Sequence, residues 1–225
     1  RLSSVRDSLK GLVLRGSSGK VTYHLRDCIG EGGQGWVFRA TWDDPGGVPV
    51  IVKVLRPDAI GNESLRRHIV LRYGMDGMVL APTELVLTNG AMEGLNLSLQ
   101  AVTRPGEVVL VESPTFYAAL QALDRLKLRA LEVATSPASG IDIDAVAEAI
   151  KRQRVAACWV MPNFQNPLGS SMPDERKQAL VALLAEQEIP LIEDDVYAEL
   201  YFGARKPLPA KAWDTRGLVI HCGSF

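Results

Sequence analysis

Short, continuously apolar segments alternate with helical segments through the chain after residue 61. A strand that is apolar on both sides must be buried on both sides, which is typical of a parallel sheet covered by helices. The pattern therefore predicts an α/β fold with a mostly parallel sheet and helices on both faces. The predicted strands are Val108–Glu112, Leu128–Val133, Ala156–Met161, Leu191–Glu193 and Leu218–Cys222.

Helical periodicity is found before the first of these strands and in the segments between them. Asp142 is the expected N-cap of one helix, and Pro173 suits the opening turn of another. A short additional strand is expected at Leu85–Thr88, before the break at Asn89-Gly90. The predicted helices are Leu65–Tyr73, Ala91–Val102, Phe116–Leu126, Ala145–Arg152 and Asp174–Glu188.

Residues 1–60 have a different pattern. They carry nine Lys+Arg and six Asp+Glu, and they contain β-rich segments separated by glycine-rich turns, such as Asp43–Gly47. We expect a small antiparallel sheet here and a boundary at about Ile60-Gly61, which divides the chain into domains 1–60 and 61–225. The predicted strands are Tyr23–Gly30, Trp36–Trp42 and Val48–Leu55.

Composition excludes several classes of protein. With 25 Lys+Arg against 26 Asp+Glu, the net charge of -1 provides no overall attraction to nucleic acid or to an anionic membrane. No apolar segment approaches the ~20 residues of a membrane helix, and the first residues lack the apolar core of a signal peptide. We therefore expect a cytoplasmic protein with neither a membrane nor a nucleic-acid partner.

Cysteines and histidines predict no metal site. The three cysteines, Cys28, Cys158 and Cys222, are widely spaced and form no Cys-x-x-Cys pair. The three histidines are scattered along the chain. These spacings favour buried thiols over disulfides or zinc, and no catalytic histidine is expected.

A glycine-rich segment runs from Gly30 to Val37, with the pattern Gly-x-Gly-x-x-Gly-x-Val, and an apolar strand follows that ends in Lys53. This arrangement resembles the first three strands of the protein kinase N-lobe. The resemblance implies a weak nucleotide site, at which ATP can bind. However, the His-Arg-Asp and Asp-Phe-Gly motifs do not occur, so we expect no phosphotransferase activity. The nucleotide-site residues would be Gly30, Gly32, Gly35, Val37 and Lys53.

Four polar motifs follow predicted strands or open predicted helices in the second domain. The amides that open the helix after Gly90 suit a phosphate dianion. Phe116, Asn166 and Asp194 follow three different strands, where open α/β sheets bind ligands.

These motifs resemble the aminotransferase-like domain of fold-type I pyridoxal-phosphate enzymes, especially the form in GntR/MocR-type regulators. The resemblance implies that Asp194 contacts the pyridine nitrogen, with Asp195 as the competing acid. It implies that Phe116 stacks on the ring, with Tyr117 in reserve, and that Asn166 and Tyr197 contact the phenolate oxygen. The implied phosphate contacts are Gly90, Ala91, Met92 and Ser224.

The same resemblance would place the Schiff-base lysine two residues after Phe225. Within the given residues we therefore predict no catalytic residue, weak non-covalent binding of pyridoxal 5′-phosphate and impaired activity. The implied ancestral reaction is amino transfer from an amino acid to a 2-oxo acid, in a family that is usually homodimeric. Two alternatives stay open: an ATP-binding pseudokinase fragment, and a non-catalytic fusion or truncation product.

Overall fold

The computed structural model describes residue 10 and residues 13–15, 22–32, 35–42, 49–55 and 63–224. The chain divides into two compact units, residues 1–69 and 70–225. The domain boundary predicted near Ile60 and the turn predicted at Asp43–Gly47 lie outside the described residues.

The described strands of the first unit form one antiparallel sheet. Its order is β1 to β4, so each strand pairs with the next. The strands confirm the predicted antiparallel sheet, and β1, which was not predicted, adds a short edge strand. Leu25, Phe38 and Ala40 are buried, and the last two lie on the same face because they are two residues apart. The strands are β1 (Val13–Arg15), β2 (Thr22–Gly32), β3 (Gly35–Trp42) and β4 (Pro49–Leu55).

The second unit contains the predicted mostly parallel sheet. Within the described residues its order is β10-β9-β8-β5-β6-β7, and every pair is parallel except β6 with β7. All five predicted strands are present, with ends that differ by at most three residues. The strands are β5 (Val108–Ser113), β6 (Arg129–Ser136), β7 (Gly140–Ile141), β8 (Ala157–Val160), β9 (Leu191–Asp194) and β10 (Val219–Cys222).

Helices follow the predicted segments closely. The helix α1 crosses the division between the two units, and the other four belong to the second unit. No helix that the structure describes is long and apolar enough to span a membrane. The helices are α1 (Glu63–Met75), α2 (Ala91–Val102), α3 (Tyr117–Arg125), α4 (Ile143–Arg152) and α5 (Asp174–Glu186).

Two hydrophobic cores lie on opposite faces of the parallel sheet. Alternate residues of β5 divide between them, since Leu110 belongs to one core and Val109 to the other. One core packs against α4 and α5, and the other packs against α2 and α3. Burial on both faces explains why the strands are apolar throughout instead of alternating.

Local signals are confirmed at α4 but wrong before α2. The Asp142 carboxylate caps α4 by accepting hydrogen bonds from the amides of Asp144 and Ala145, at 3.0 and 3.1 Å. The strand predicted at Leu85–Thr88 is absent, because this segment pairs with no described strand. A 3-10 turn precedes it, and Val86 is 75% exposed, so its apolar residues do not enter a core.

Candidate functional site at the carboxyl edge of the parallel sheet

Four consecutive strands end at the same edge of the sheet. In the order β10-β9-β8-β5, their carboxyl ends lead to Ser224, Asp194, Asn166 and Phe116. Sequence reasoning placed each of these residues after a strand, but it did not establish which strands are neighbours. The observed order makes these four strands neighbours, so the segments that carry the four residues leave the same edge of the sheet, which is where open α/β sheets bind ligands.

The start of α2 lies close to the end of β10. A Cβ atom at Gly94 would lie 3.9 Å from Cys222 Sγ, and Ser98 Oγ lies 3.6 Å from the same sulfur. Gly90 caps this helix with a φ of 97°, a conformation that glycine adopts without strain. The amides of Ala91 and Met92 open the helix, so the helix itself does not use them. They are therefore available to an anion near the start of α2.

Asp194 is a buried carboxylate with one unused oxygen. Asp194 is 1% exposed, and its Oδ1 has no hydrogen-bond partner in the described part of the chain. Burial raises the pKa of Asp194 to about 6, while hydrogen bonds from the Trp159 indole and the Val196 amide oppose the rise. A carboxylate in this state lacks a donor, and a protonated ring nitrogen would provide one.

Asp195, the competing acid, is already partnered. Asn163 Nδ2 donates to its Oδ1 at 2.9 Å. Burial and the neighbouring Glu193 charge both raise the pKa of Asp195. Because Asp195 has its partner within the protein and Asp194 Oδ1 does not, the geometry favours Asp194 as the carboxylate for a bound group.

The two candidate aromatic residues differ in burial. Phe116 is half-buried and occupies the cap position immediately before α3, whereas Tyr117 is 68% exposed. Their ring centroids are 5.1 Å apart in an edge-on arrangement. Asn166 and Tyr197 are also half-buried. Phe116 is therefore the more enclosed of the two rings beside the sheet edge.

A second polar cluster was not predicted from the sequence. One carboxylate oxygen each of Glu193 and Asp195 and one ring nitrogen of His221 lie within 4.8 Å of one another. His221 Nδ1 lies 2.9 Å from Glu193 Oε2, and its Nε2 lies 2.8 Å from the Tyr73 hydroxyl. Burial lowers the pKa of His221, but the charge and hydrogen bond of Glu193 outweigh it, so the pKa is raised. Both ring nitrogens thus have partners within the protein.

Glu112 and Gln165 were also missed, and each is 1% exposed. Glu112 Oε2 accepts the Met161 amide at 2.9 Å, but Oε1 has no partner among the described residues. Burial raises the pKa of Glu112 to about 8. The available signal was a charged residue at the end of an apolar strand, where an unpaired polar group is costly.

Comparison with protein families matches residues 55–225 to the aminotransferase class I and II family. The chain belongs to this family. The match begins at residue 55 and so omits the glycine-rich hairpin, whose kinase-like interpretation gains no support and stays a prediction. The backbones of Val37 and Lys53 pair across β3 and β4, but the Lys53 side chain lies outside the described part.

Relatives include both regulators and enzymes. An uncharacterized HTH-type transcriptional regulator of Escherichia coli, YdcR, is 56% identical over 165 residues, covering 73% of this chain and 35% of the regulator. The α-aminoadipate aminotransferase LysN of Thermus thermophilus, complexed with N-(5′-phosphopyridoxyl)-L-leucine, is 31% identical with a TM-score of 0.65, covering 72% and 41%. An archaeal alanine:glyoxylate aminotransferase is 28% identical with a TM-score of 0.69, covering 75% and 44%. The chain therefore spans less than half of each of these relatives.

Proposed function

We propose that the second unit binds pyridoxal 5′-phosphate at the carboxyl edge of the parallel sheet, within a protein that transfers amino groups between amino acids and 2-oxo acids. The observation that carries this proposal is the buried Asp194 carboxylate, whose Oδ1 has no partner in the described structure. The Thermus relative, which holds a phosphopyridoxyl amino acid, supports the same ligand chemistry.

The residues at this edge fit the cofactor group by group. Asp194 Oδ1 suits a protonated pyridine nitrogen, and the amides of Ala91 and Met92 suit the phosphate dianion. Phe116 offers a ring face, and Asn166 a side-chain amide that can donate to a phenolate oxygen. When bound, the cofactor supplies an electron sink for the carbanion formed at the substrate α-carbon.

The protein's own part is to hold a proton and to fix positions. Asp194 in its ionised form keeps a proton on the ring nitrogen, since its charge and burial favour a cationic partner. The Trp159 indole and the Val196 amide hold the carboxylate in place. Gly90, Tyr197 and Ser224 complete the proposed contacts. Each of these proposed contacts is non-covalent.

Cofactor titration of the 225-residue chain tests the proposal. We expect weak saturable binding of pyridoxal 5′-phosphate. Equilibrium dialysis and the absorbance of the cofactor measure this binding. Asp194→Asn should lower the affinity by about tenfold or more, because a charge-assisted hydrogen bond contributes roughly 1.5–3 kcal/mol. Asp195→Asn is the matched control and should have a smaller effect. Equal effects of the two variants, or no binding at all, would contradict the assignment.

The substrate class is proposed more coarsely. The two named enzymes are aminotransferases of different amino acids, so we infer an amino acid and a 2-oxo acid without a preferred side chain.

The description of the Escherichia coli relative as a transcriptional regulator weighs against the expectation that the protein has no nucleic-acid partner.

A further inference from the structure

We propose that Glu112 and Gln165 are positioning residues that fix the spacing between the proposed ring-stacking and phenolate contacts. The inference rests on the proposed function, because it concerns the same sheet edge. Neither side chain is assigned a contact with the cofactor. Both act on the protein segments that carry Phe116 and Asn166.

Glu112 ties together two neighbouring strand ends. It is the penultimate residue of β5, and its Oε2 accepts the amide of Met161, which immediately follows β8, at 2.9 Å. Both residues are buried, so water cannot substitute for this bond without opening the sheet edge. Phe116 lies four residues after Glu112, so the bond that fixes the end of β5 also restricts where Phe116 can lie.

Gln165 ties the Asn166 turn to the segment before Phe116. Its Nε2 donates to the Pro114 carbonyl at 2.7 Å, while its Oε1 accepts the Leu168 amide at 2.9 Å. Its backbone amide also donates to the Ser170 carbonyl at 2.8 Å. One buried side chain therefore joins the two loops on which the proposed cofactor contacts lie.

Both groups of the Gln165 amide are in use, and the geometry leaves it little freedom to rotate. Displacement of a site residue by about 1 Å can cost a large factor in binding or rate, so the spacing that this pair sets matters for the ligand. Glu112, by contrast, keeps one buried oxygen unused. A neutral acid suits that environment, and glutamine reproduces the shape and hydrogen bonding of a neutral glutamic acid.

Amide hydrogen exchange, detected by NMR, tests the positioning role of Glu112 and Gln165 without any cofactor. Glu112→Ala should reduce the protection of the Met161 amide by about tenfold, and Gln165→Ala should do the same at Leu168, through loss of one hydrogen bond each. Glu112→Gln should retain protection at Met161. Glu132→Ala is the matched control, because Glu132 accepts a bond from the neighbouring Ser113 hydroxyl at an exposed position, at 2.8 Å.

Titration with pyridoxal 5′-phosphate on the same variants gives the second measurement. Glu112→Ala and Gln165→Ala should each weaken binding by about tenfold, whereas Glu112→Gln and Glu132→Ala should stay within about twofold of the parent. A purely structural role would lower stability in Glu112→Ala and leave the affinity of the folded fraction unchanged. That result, or equal losses in Glu112→Ala and Glu112→Gln, would overturn the proposal.

The outcomes separate this inference from the proposed function. If the parent polypeptide does not bind the cofactor, the proposed function is wrong, and the exchange rates still decide whether Glu112 and Gln165 hold the two loops. If Glu112→Ala does not fold, Gln165→Ala decides alone. Unchanged protection at Leu168 together with unchanged affinity would then overturn the proposal.

Discussion

The two edges of the parallel sheet differ in the exposure of their polar groups: the carboxyl ends of β5 and β9 lie at one edge, and the amino ends of β6 and β8 lie at the other. At the carboxyl ends, Glu112 and Asp194 are buried, and each keeps one oxygen without a partner in the described structure. At the amino ends, Lys127, Arg129 and Arg154 are exposed. Water can satisfy the charges at the amino ends, whereas each buried carboxylate at the other edge accepts hydrogen bonds from the protein and still keeps one buried oxygen without a partner among the described residues.

This difference identifies the end that is suited to a ligand. Exposed charges such as Arg154, whose guanidinium lies 4.0 Å from a Glu107 oxygen, contribute about 0–1 kcal/mol to stability. A buried polar group left unsatisfied costs about 1–3 kcal/mol, and more when it is charged. A ligand that supplies the missing donor would recover part of that cost, so stability and binding should be opposed at the carboxyl ends.

The largest predicted effect concerns Glu112. Its pKa is raised to about 8 by burial, so between the ordinary value and pH 8 the native state binds more protons than the unfolded state. The free energy of unfolding should therefore fall as pH rises from about 4 to 8, by up to about 5 kcal/mol. Glu112→Gln should lack this fall. Urea unfolding across this pH range measures it, and parallel profiles for parent and variant would contradict the prediction.

Asp194 should also lower the free energy of unfolding as pH rises, but by a smaller amount. With its pKa raised to about 6, it lowers the free energy of unfolding as pH rises from about 4 to 6, by roughly 3 kcal/mol. Asp194→Asn should be more stable than the parent above pH 6 and yet bind the cofactor less well. A variant that loses both stability and affinity would show that Asp194 is an ordinary structural residue.

The sequence predicted the strands well but not the buried polar groups between them. Continuous apolar segments located β5 and β8, because burial on both faces excludes polar residues from their middles. The same reasoning failed at Leu85–Thr88, since periodicity does not reveal whether a pairing partner exists. Glu112 and Gln165 were missed for a related reason. Their burial depends on β5 lying beside β8, a neighbour relation between strands that are not consecutive.

The local motifs predicted the candidate site only through resemblance. Asp194 and Asp195 are adjacent acids after one strand, and nothing in their spacing separates them. The structure distinguishes them because Asn163, from the end of the neighbouring strand, supplies a donor to Asp195 alone. Such a difference arises from tertiary packing, which a single sequence does not show.

A smaller effect is expected for the two aromatic residues. Phe116→Leu should weaken cofactor binding by about three- to tenfold, because an aromatic contact contributes roughly 0.5–1.5 kcal/mol beyond the buried area. Tyr117→Leu should change affinity by less than about twofold, since Tyr117 is 68% exposed. Both affinities can be measured by the same dialysis experiment. A larger loss in Tyr117→Leu would assign the ring contact to the residue held in reserve.

The smallest effect is expected at the amino ends of the strands. The loops there are joined through backbone atoms, since the Gly106 amide donates to the Lys127 carbonyl and the Arg129 amide donates to the Glu107 carbonyl. Their exposed side chains contribute little to this connection, so Lys127→Gln combined with Arg129→Gln should alter the free energy of unfolding by less than about 0.5 kcal/mol. Cofactor affinity should also stay within about twofold of the parent, because exposed charges at the opposite edge of the sheet are screened by water and salt. Urea unfolding and dialysis check both values. A loss comparable to that of Asp194→Asn would mean that the two strand ends do not differ in the way their burial indicates.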